Sequence, residues 1–246
     1  MAKHVLIFGA HPDDIESFCG GTAIRYAHMG WKVFFCVATN GNVGSTTLPK
    51  AEIAKVRYGE AKKAASIIGA ELIWLGLDEE FLIDSVETRH AFINAMRIAD
   101  PDVVICPCRT DYNPDHSITG YIVDECLHMA QVPNIETGTP ITKKPIPHLY
   151  FMDTPAGVGF EPELYVDITD VFEKKVELLA CHESQNSWMK TLFNYEMSAF
   201  LEIPARYRGL QAGVPMAEGF RPSYRWGRNF TRHYLPDCLS QAGQFR

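Results

Sequence analysis

Short apolar runs alternate with segments of helical periodicity along much of the chain. HVLIFG at residues 4–9 is an uninterrupted apolar run, typical of a strand buried on both faces. Similar runs predict strands at residues 31–39, 71–75, 103–107, 145–153 and 164–168. Helical spacing predicts helices at residues 19–29, 51–68, 88–99 and 171–182, with Gly30 and Gly69 ending the first two.

This alternation predicts an α/β fold, a Rossmann-like doubly wound, mostly parallel sheet with helices on both faces. We expect a single domain with a core at about residues 1–185 and an irregular C-terminal extension at about 186–246. Residues 200–246 contain several Pro, Gly and aromatic residues without a long period, which predicts extended segments packed on the domain. The aromatic segment Tyr224–Trp226 is a candidate contact surface in a homo-oligomer.

Polar loops follow the predicted strands at residues 10–16, 40–48, 76–81 and 108–116. Because parallel sheets bind ligands beyond the carboxyl ends of their strands, these loops should converge on one site. His11 and Asp14 lie three residues apart directly after a buried strand, and the last loop ends at His116. Imidazole nitrogens and carboxylate oxygens are ligands that zinc accepts, and a hydrolytic zinc site leaves one position for water. An isolated histidine or a helix-capping Asp is the plainer interpretation, but acidic residues accompany a histidine at two strand ends.

An ordered series of motifs resembles the LmbE/PIG-L family of zinc-dependent N-deacetylases, which includes N-acetylglucosaminyl deacetylases. The motifs are AHPDDIE at 10–16 with Gly20-Gly21, TNGNVG at 39–44, RYGE at 57–60, LGLD at 75–78, NPDH at 113–116, VDIT at 166–169 and CHESQ at 181–185. The resemblance implies that His11, Asp14 and His116 hold Zn²⁺ or another divalent metal, and that Asp13 is the general base. It also implies that Arg57 faces the substrate pocket. The predicted position of the second polar loop favours sugar hydroxyl contacts by Asn40 and Asn42, and His182 is a further candidate to line the site.

Each of these four residues also has a structural interpretation. Arg57 could pair with Glu60 three positions further along its helix, the two asparagines could simply face water, and His182 could belong to a packing or subunit motif.

Asn113 departs from the family pattern, in which a histidine often occupies this position. An amide can donate a hydrogen bond to an oxyanion, but it cannot shuttle protons. Two expectations follow: either Asn113 has an electrostatic catalytic role while Asp13 carries out the acid and base chemistry, or the chemistry differs from deacetylation. Asp115, without an imidazole at position 113, is then expected to orient His116.

Charge and hydropathy exclude several classes of partner. The formal net charge of −7 gives no broad positive field for a phosphate backbone, so nucleic acid is not expected. No apolar run reaches the roughly 18 residues of a membrane span, and the first residues lack a signal-peptide pattern. We expect a cytoplasmic protein whose seven cysteines are reduced, mostly buried thiols.

The function expected from these features is zinc-dependent removal of an N-acyl group, such as N-acetyl, from an amino sugar or its conjugate. A zinc-dependent hydratase of an unsaturated dicarboxylic acid is the alternative enzyme. A di-acid would require several Arg or Lys near the metal, and the motif loops supply Arg109 and Arg57. A binding module on a degenerate scaffold would lack ligands or the base, and GAHPDD lacks the glycine pattern of a nucleotide-binding turn.

Overall fold

Eight strands and seven α-helices are present in the computed structural model, which describes residues 3–194, 196–225 and 234–240. The strands are β1 (His4–Gly9), β2 (Lys32–Thr39), β3 (Glu71–Leu77), β4 (Val103–Cys106), β5 (His148–Met152), β6 (Leu164–Asp167), β7 (Ala217–Pro222) and β8 (Cys238–Ser240). The helices are α1 (Asp14–His28), α2 (Lys50–Ile67), α3 (Val86–Ala99), α4 (Pro114–Cys126), α5 (Phe172–Leu179), α6 (Glu183–Phe193) and α7 (Met197–Ala212).

The strands form one mixed sheet in the order β3-β2-β1-β4-β5-β7-β6-β8. The first five pair in parallel, whereas β7 runs antiparallel to β5 and β6. The chain moves outward from β1 to β3 in one direction and from β4 to β5 in the other. The crevice between β1 and β4 is therefore the switch point at which doubly wound sheets bind ligands. The predicted α/β class and mostly parallel sheet are confirmed.

The central strands are buried on both faces because helices cover each side of the sheet. Val5 and Ile7 of β1 belong to one core with α1, α5 and α7. Leu6 and Phe8, which point to the opposite face, belong to a second core with α3 and α4. This two-sided burial accounts for the uninterrupted apolar runs in the sequence.

Helix α1 begins at Asp14, so the predicted start at Cys19 is wrong. The AHPDDIE motif is only partly a loop, because its last three residues form the first turn of the helix. Asp14 and Glu16 place negative charge in that turn, where the helix dipole favours it.

The expectation of extended segments throughout residues 200–246 is also wrong. Helix α7 occupies residues 197–212 and ends before Gly213, whose φ of 74° suits a glycine C-cap. Strand β7 then enters the sheet between β5 and β6, so this part of the chain completes the sheet. Of the candidate contact segment, Tyr224 is exposed, whereas Trp226 lies outside the described residues.

The seven cysteines are free thiols, and six of them are buried, as predicted. Among the described helices, none is long and apolar enough to cross a lipid bilayer.

Candidate metal and catalytic site

The first and fourth polar loops meet because β1 and β4 are neighbouring parallel strands, with Ile7 opposite Ile105. Helix α4 starts inside the NPDH motif. The Oδ1 atom of Asn113 accepts hydrogen bonds from the backbone N–H groups of Asp115 at 2.9 Å and His116 at 3.3 Å. This side-chain N-cap fixes His116 in the first turn of α4, facing the start of α1.

His11, Asp14 and His116 present three potential metal ligands to one point. His11 Nδ1 lies 3.1 Å from His116 Nε2, and His116 Nε2 lies 3.2 Å from Asp14 Oδ1. The other oxygen of this carboxylate, Asp14 Oδ2, lies 3.6 Å from His11 Nδ1. Bonds of about 2.0–2.1 Å in a tetrahedral zinc site separate neighbouring ligand atoms by about 3.3 Å. The two imidazoles and the carboxylate therefore fit a small divalent metal in both spacing and chemistry.

The second ring nitrogen of each histidine contacts a further carboxylate. His11 Nε2 lies 3.2 Å from Asp115 Oδ2, and His116 Nδ1 lies 2.9 Å from Asp111 Oδ2. Contacts of this kind fix the tautomer and orientation of a metal-ligating imidazole. The predicted role of Asp115 in orienting His116 is wrong, because adjacent residues on a helix point in different directions. Asp115 supports His11 instead, and Asp111 is the residue that the sequence interpretation missed.

Both histidines hold a proton strongly in this carboxylate environment. Burial alone would lower the pKa of His116, but Asp14 and Asp111 outweigh that effect and raise it to about 9. Burial likewise opposes protonation of His11, and the nearby carboxylates of Asp14 and Asp115 raise its pKa well above the usual value. A metal that binds here at neutral pH must therefore displace protons.

Asp13 lies beside these three residues in an unusual backbone conformation. Its φ of 134° is rare for a residue other than glycine, and such conformations cost about 1–3 kcal/mol. Burial raises the pKa of its carboxyl group to about 6, although the guanidinium of Arg57 acts in the opposite direction. A carboxyl group with this pKa can accept a proton at neutral pH and return it.

The Arg57 side chain is 1% exposed and contacts the turn at Asp13 from the protein interior. Its Nη2 donates to the backbone carbonyl of Pro12 at 3.0 Å and lies 3.5 Å from Asp13 Oδ2. Its Nη1 donates to Glu79 Oε1 at 3.0 Å. The alternative pairing of Arg57 with Glu60 is wrong, because the Glu60 carboxylate accepts hydrogen bonds from the backbone and hydroxyl groups of a serine at the start of α6.

Asn40 and Asn42 join the second polar loop to the third. Both side-chain amides donate to Asp78 Oδ1, at 3.3 and 2.8 Å, and the Val43 N–H donates to Glu79 Oε2 at 3.0 Å. The four polar loops therefore converge as predicted. Asn42 Oδ1 is buried and has no hydrogen-bond partner among the described residues.

His182 is buried just before α6. Its Nε2 lies 3.2 Å from Glu16 Oε1, and neither ring nitrogen makes a hydrogen bond of good geometry within the described part of the chain. Burial lowers the pKa of His182, but the charges of Glu16 and Asp13 reverse this and raise it. The structure thus places His182 within the electrostatic environment of Asp13.

Comparisons with known proteins agree with this arrangement. Residues 6–127 match the family model described as PIG-L, GlcNAc-PI de-N-acetylase. Diacetylchitobiose deacetylase of Thermococcus kodakarensis is 30% identical over 229 residues, covering 89% of this chain and 82% of that protein. The 4-oxalmesaconate hydratase of Pseudomonas putida is 24% identical over 218 residues, covering 85% and 81%.

A solved structure has the same architecture and a similar sequence. It is N,N'-diacetylchitobiose deacetylase from Pyrococcus horikoshii with an inhibitor bound, and it aligns with a TM-score of 0.79. The sequence identity is 29%, and the alignment covers 90% of this chain and 84% of that one. The chain therefore belongs to the PIG-L (LmbE-like) family of N-deacetylases.

Proposed function

We propose that this protein is a zinc-dependent hydrolase that removes the N-acetyl group from an amino sugar or an amino-sugar conjugate. The observation that carries the proposal is the cluster of His11, Asp14 and His116, whose imidazole nitrogens and carboxylate oxygens lie 3.1–3.6 Å apart, beside the buried Asp13 carboxylate. The relatives named as diacetylchitobiose deacetylases support an acetylated amino sugar as the substrate.

Zinc held by these three residues would lower the pKa of a water molecule from about 15.7 toward about 7 and polarise the acyl carbonyl group. Asp13 then accepts the proton of the attacking water and delivers it to the departing amine nitrogen. Its pKa of about 6 suits both steps. The Asp111 and Asp115 carboxylates keep the two imidazoles oriented throughout.

The side-chain amide of Asn113 can take part in the reaction through its nitrogen, Nδ2. Its Oδ1 accepts hydrogen bonds from the N-terminal N–H groups of α4, and its Nδ2 is the group that can donate a hydrogen bond to a developing oxyanion. An amide nitrogen does not titrate at these pH values. We therefore assign Asn113 an electrostatic role, and Asp13 the proton transfers.

Hydration of an unsaturated dicarboxylate is the second candidate, because one relative is named as a hydratase. Its substrate would require free cationic side chains near the metal. Arg57 is paired with Glu79, and Arg109 Nη1 lies 2.6 Å from Asp124 Oδ2. Both arginines singled out by the sequence are thus engaged with protein carboxylates, which favours hydrolysis of a neutral substrate.

The test combines a metal analysis of protein purified without chelator with two activity assays. Acetate release from N-acetylglucosamine and N,N'-diacetylchitobiose is measured beside the loss of ultraviolet absorbance of an unsaturated dicarboxylate. We expect about one zinc per chain and acetate release, and Asp13→Asn should retain the metal but lose about a hundredfold or more in turnover. Hydration without acetate release would support the second candidate, and protein that binds no added zinc would exclude both.

A further inference from the structure

The start of helix α6 contacts two other helices around the site. Ser184 donates to the Glu60 carboxylate of α2 through its backbone N–H at 2.9 Å and its hydroxyl group at 2.6 Å. His182, just before α6, lies against Glu16 in the first turn of α1, with 3.2 Å between Nε2 and Oε1. Because α1 begins directly after Asp13, the second contact joins α6 to the turn that carries the proposed base.

The pair formed by Glu16 and His182 is removed from solvent. The Glu16 side chain is 4% exposed, and the His182 side chain is 0% exposed. An isolated charge is costly to bury, so a carboxylate and an imidazole in contact are most stable as a charged pair. Although burial lowers the pKa of His182, the charges of Glu16 and Asp13 outweigh it and the opposing charge of Arg57. The environment therefore favours the imidazolium form.

Two cationic groups outside the set of metal ligands act on the Asp13 carboxylate. Arg57 reaches it from α2, with 3.5 Å between Nη2 and Oδ2. The second is His182 at the start of α6, whose charge also favours the ionised form of Asp13. A non-glycine residue with a φ of 134° persists only where its surroundings hold it in place. Contacts from α2 and α6 on the turn and on the first turn of α1 provide such surroundings.

We propose that Glu16 and His182 form a buried charged pair that positions the Asp13 carboxylate for proton transfer. The inference rests on the proposed function and adds a positioning residue to its mechanism. Glu16 fixes the place of the imidazole, and the imidazole adds a positive charge to that of Arg57. Because the His182 side chain is fully buried, it acts through Asp13 and does not contact a substrate itself.

The experiment compares the zinc-loaded enzyme with Glu16→Gln, His182→Gln and the double variant in steady-state release of acetate from N-acetylglucosamine and N,N'-diacetylchitobiose. Each single substitution should lower kcat about tenfold or more and leave KM within about twofold, because a misplaced base slows the reaction without altering substrate contacts. The double variant should be no slower than the slower single variant, since the two residues act as one unit. Zinc content should stay at the wild-type value in all three.

Lys175→Met is the matched control because it breaks another buried ion pair, with Glu218. It should lower the Tm but leave kcat within about twofold of wild type. A kcat retained in His182→Gln would overturn the proposal, and so would an effect confined to KM. A decrease in kcat that Lys175→Met reproduces would also overturn it, since that decrease would reflect stability alone.

Nuclear magnetic resonance gives a readout that does not depend on turnover. The imidazole signal of His182, identified by its loss in His182→Gln, is titrated in zinc-loaded wild type, Glu16→Gln and Asp13→Asn. Loss of either negative charge should lower the titration midpoint of His182. A midpoint that Asp13→Asn does not lower would overturn the proposal whatever the kinetics.

Wild-type enzyme that releases acetate from neither sugar would contradict the proposed function. The charged pair is then judged by the titration alone. A midpoint that both substitutions lower supports the coupling of His182 to Asp13, and any other result refutes it.

Discussion

Replacing Arg57 by Met tests whether a buried guanidinium holds the catalytic turn together. Arg57 is 1% exposed and its partner Glu79 is 7% exposed, so the substitution leaves a buried carboxylate without its counter-charge. Removing one member of a buried ion pair costs about 3–5 kcal/mol of unfolding free energy. For a chain of this size, such a loss corresponds to a Tm about 6–20 °C lower.

A second substitution separates the unpaired charge from the lost packing. Adding Glu79→Gln to Arg57→Met removes the negative charge and leaves an amide oxygen to accept from the Val43 N–H. We expect the double variant to regain about half of the lost stability, measured by urea denaturation and thermal melting of both variants beside the wild type. The reasoning is refuted if Arg57→Met lies within about 1 kcal/mol of wild type, or if the double variant is no more stable than the single one.

The Arg57→Met substitution should also alter the pH dependence of catalysis. Burial raises the pKa of Asp13 to about 6 while the charge of Arg57 restrains that increase. Because the carboxylate is the proposed base, activity should fall as the pH falls through this pKa, and a bound divalent cation would move that limb lower. Without Arg57 the acid limb of kcat/KM should move to higher pH. An acid limb unchanged in Arg57→Met would show that the guanidinium does not influence the ionisation of Asp13.

Three further predictions follow from contacts around the site and in the core. Asp111→Asn removes the charge behind His116 and should weaken zinc binding about 10–100-fold in competition with a chromogenic chelator; unchanged affinity would count against an orienting role. Because the pKa values of His11 and His116 are raised, adding zinc to chelator-treated protein at pH 7 should release protons into a weakly buffered solution. Zinc affinity should decrease as the pH is lowered. No measurable proton release would contradict the protonated state of these histidines. Lys175 Nζ lies 2.7 Å from Glu218 Oε1 in the core, so Lys175→Met leaves the buried Glu218 carboxylate without its cation. This substitution should lower the unfolding free energy by about 3–5 kcal/mol. A change below about 1 kcal/mol in urea denaturation would argue against this ion pair as a core contact.

The central strands could be predicted from the sequence because their burial on both faces leaves uninterrupted apolar runs. Helix α7 could not, since Ile203, Tyr207 and Leu210 are exposed apolar residues that obscure its periodicity. Pro204 inside the helix is a further contrary signal. Helix α4 carried the usual start signals in Asn113-Pro114, but the same residues also belong to the motif that we interpreted as a loop.

The convergence of the site could be predicted because β1 and β4 determine where His11 and His116 emerge. The pairing of particular carboxylates with particular histidines could not, since it depends on the side-chain directions within a turn. Asp115 and His116 are adjacent in the first turn of α4 and diverge, which sends Asp115 to His11. Asp111 precedes the helix and reaches His116 from the loop, a contact that spacing along the sequence does not reveal.

Asn113 caps helix α4, which positions His116, and its amide does not titrate near neutral pH. Its Oδ1 is bound to the backbone N–H groups that open α4, so the helix start that positions His116 also fixes the direction of the Asn113 amide. A histidine here would add a second group that changes charge near neutral pH, whereas the amide donor has the same strength across that range. In the proposed mechanism Asp13 therefore has to serve as both acceptor and donor of the proton. This requirement is consistent with its burial and with a pKa of about 6, well above that of an ordinary aspartate.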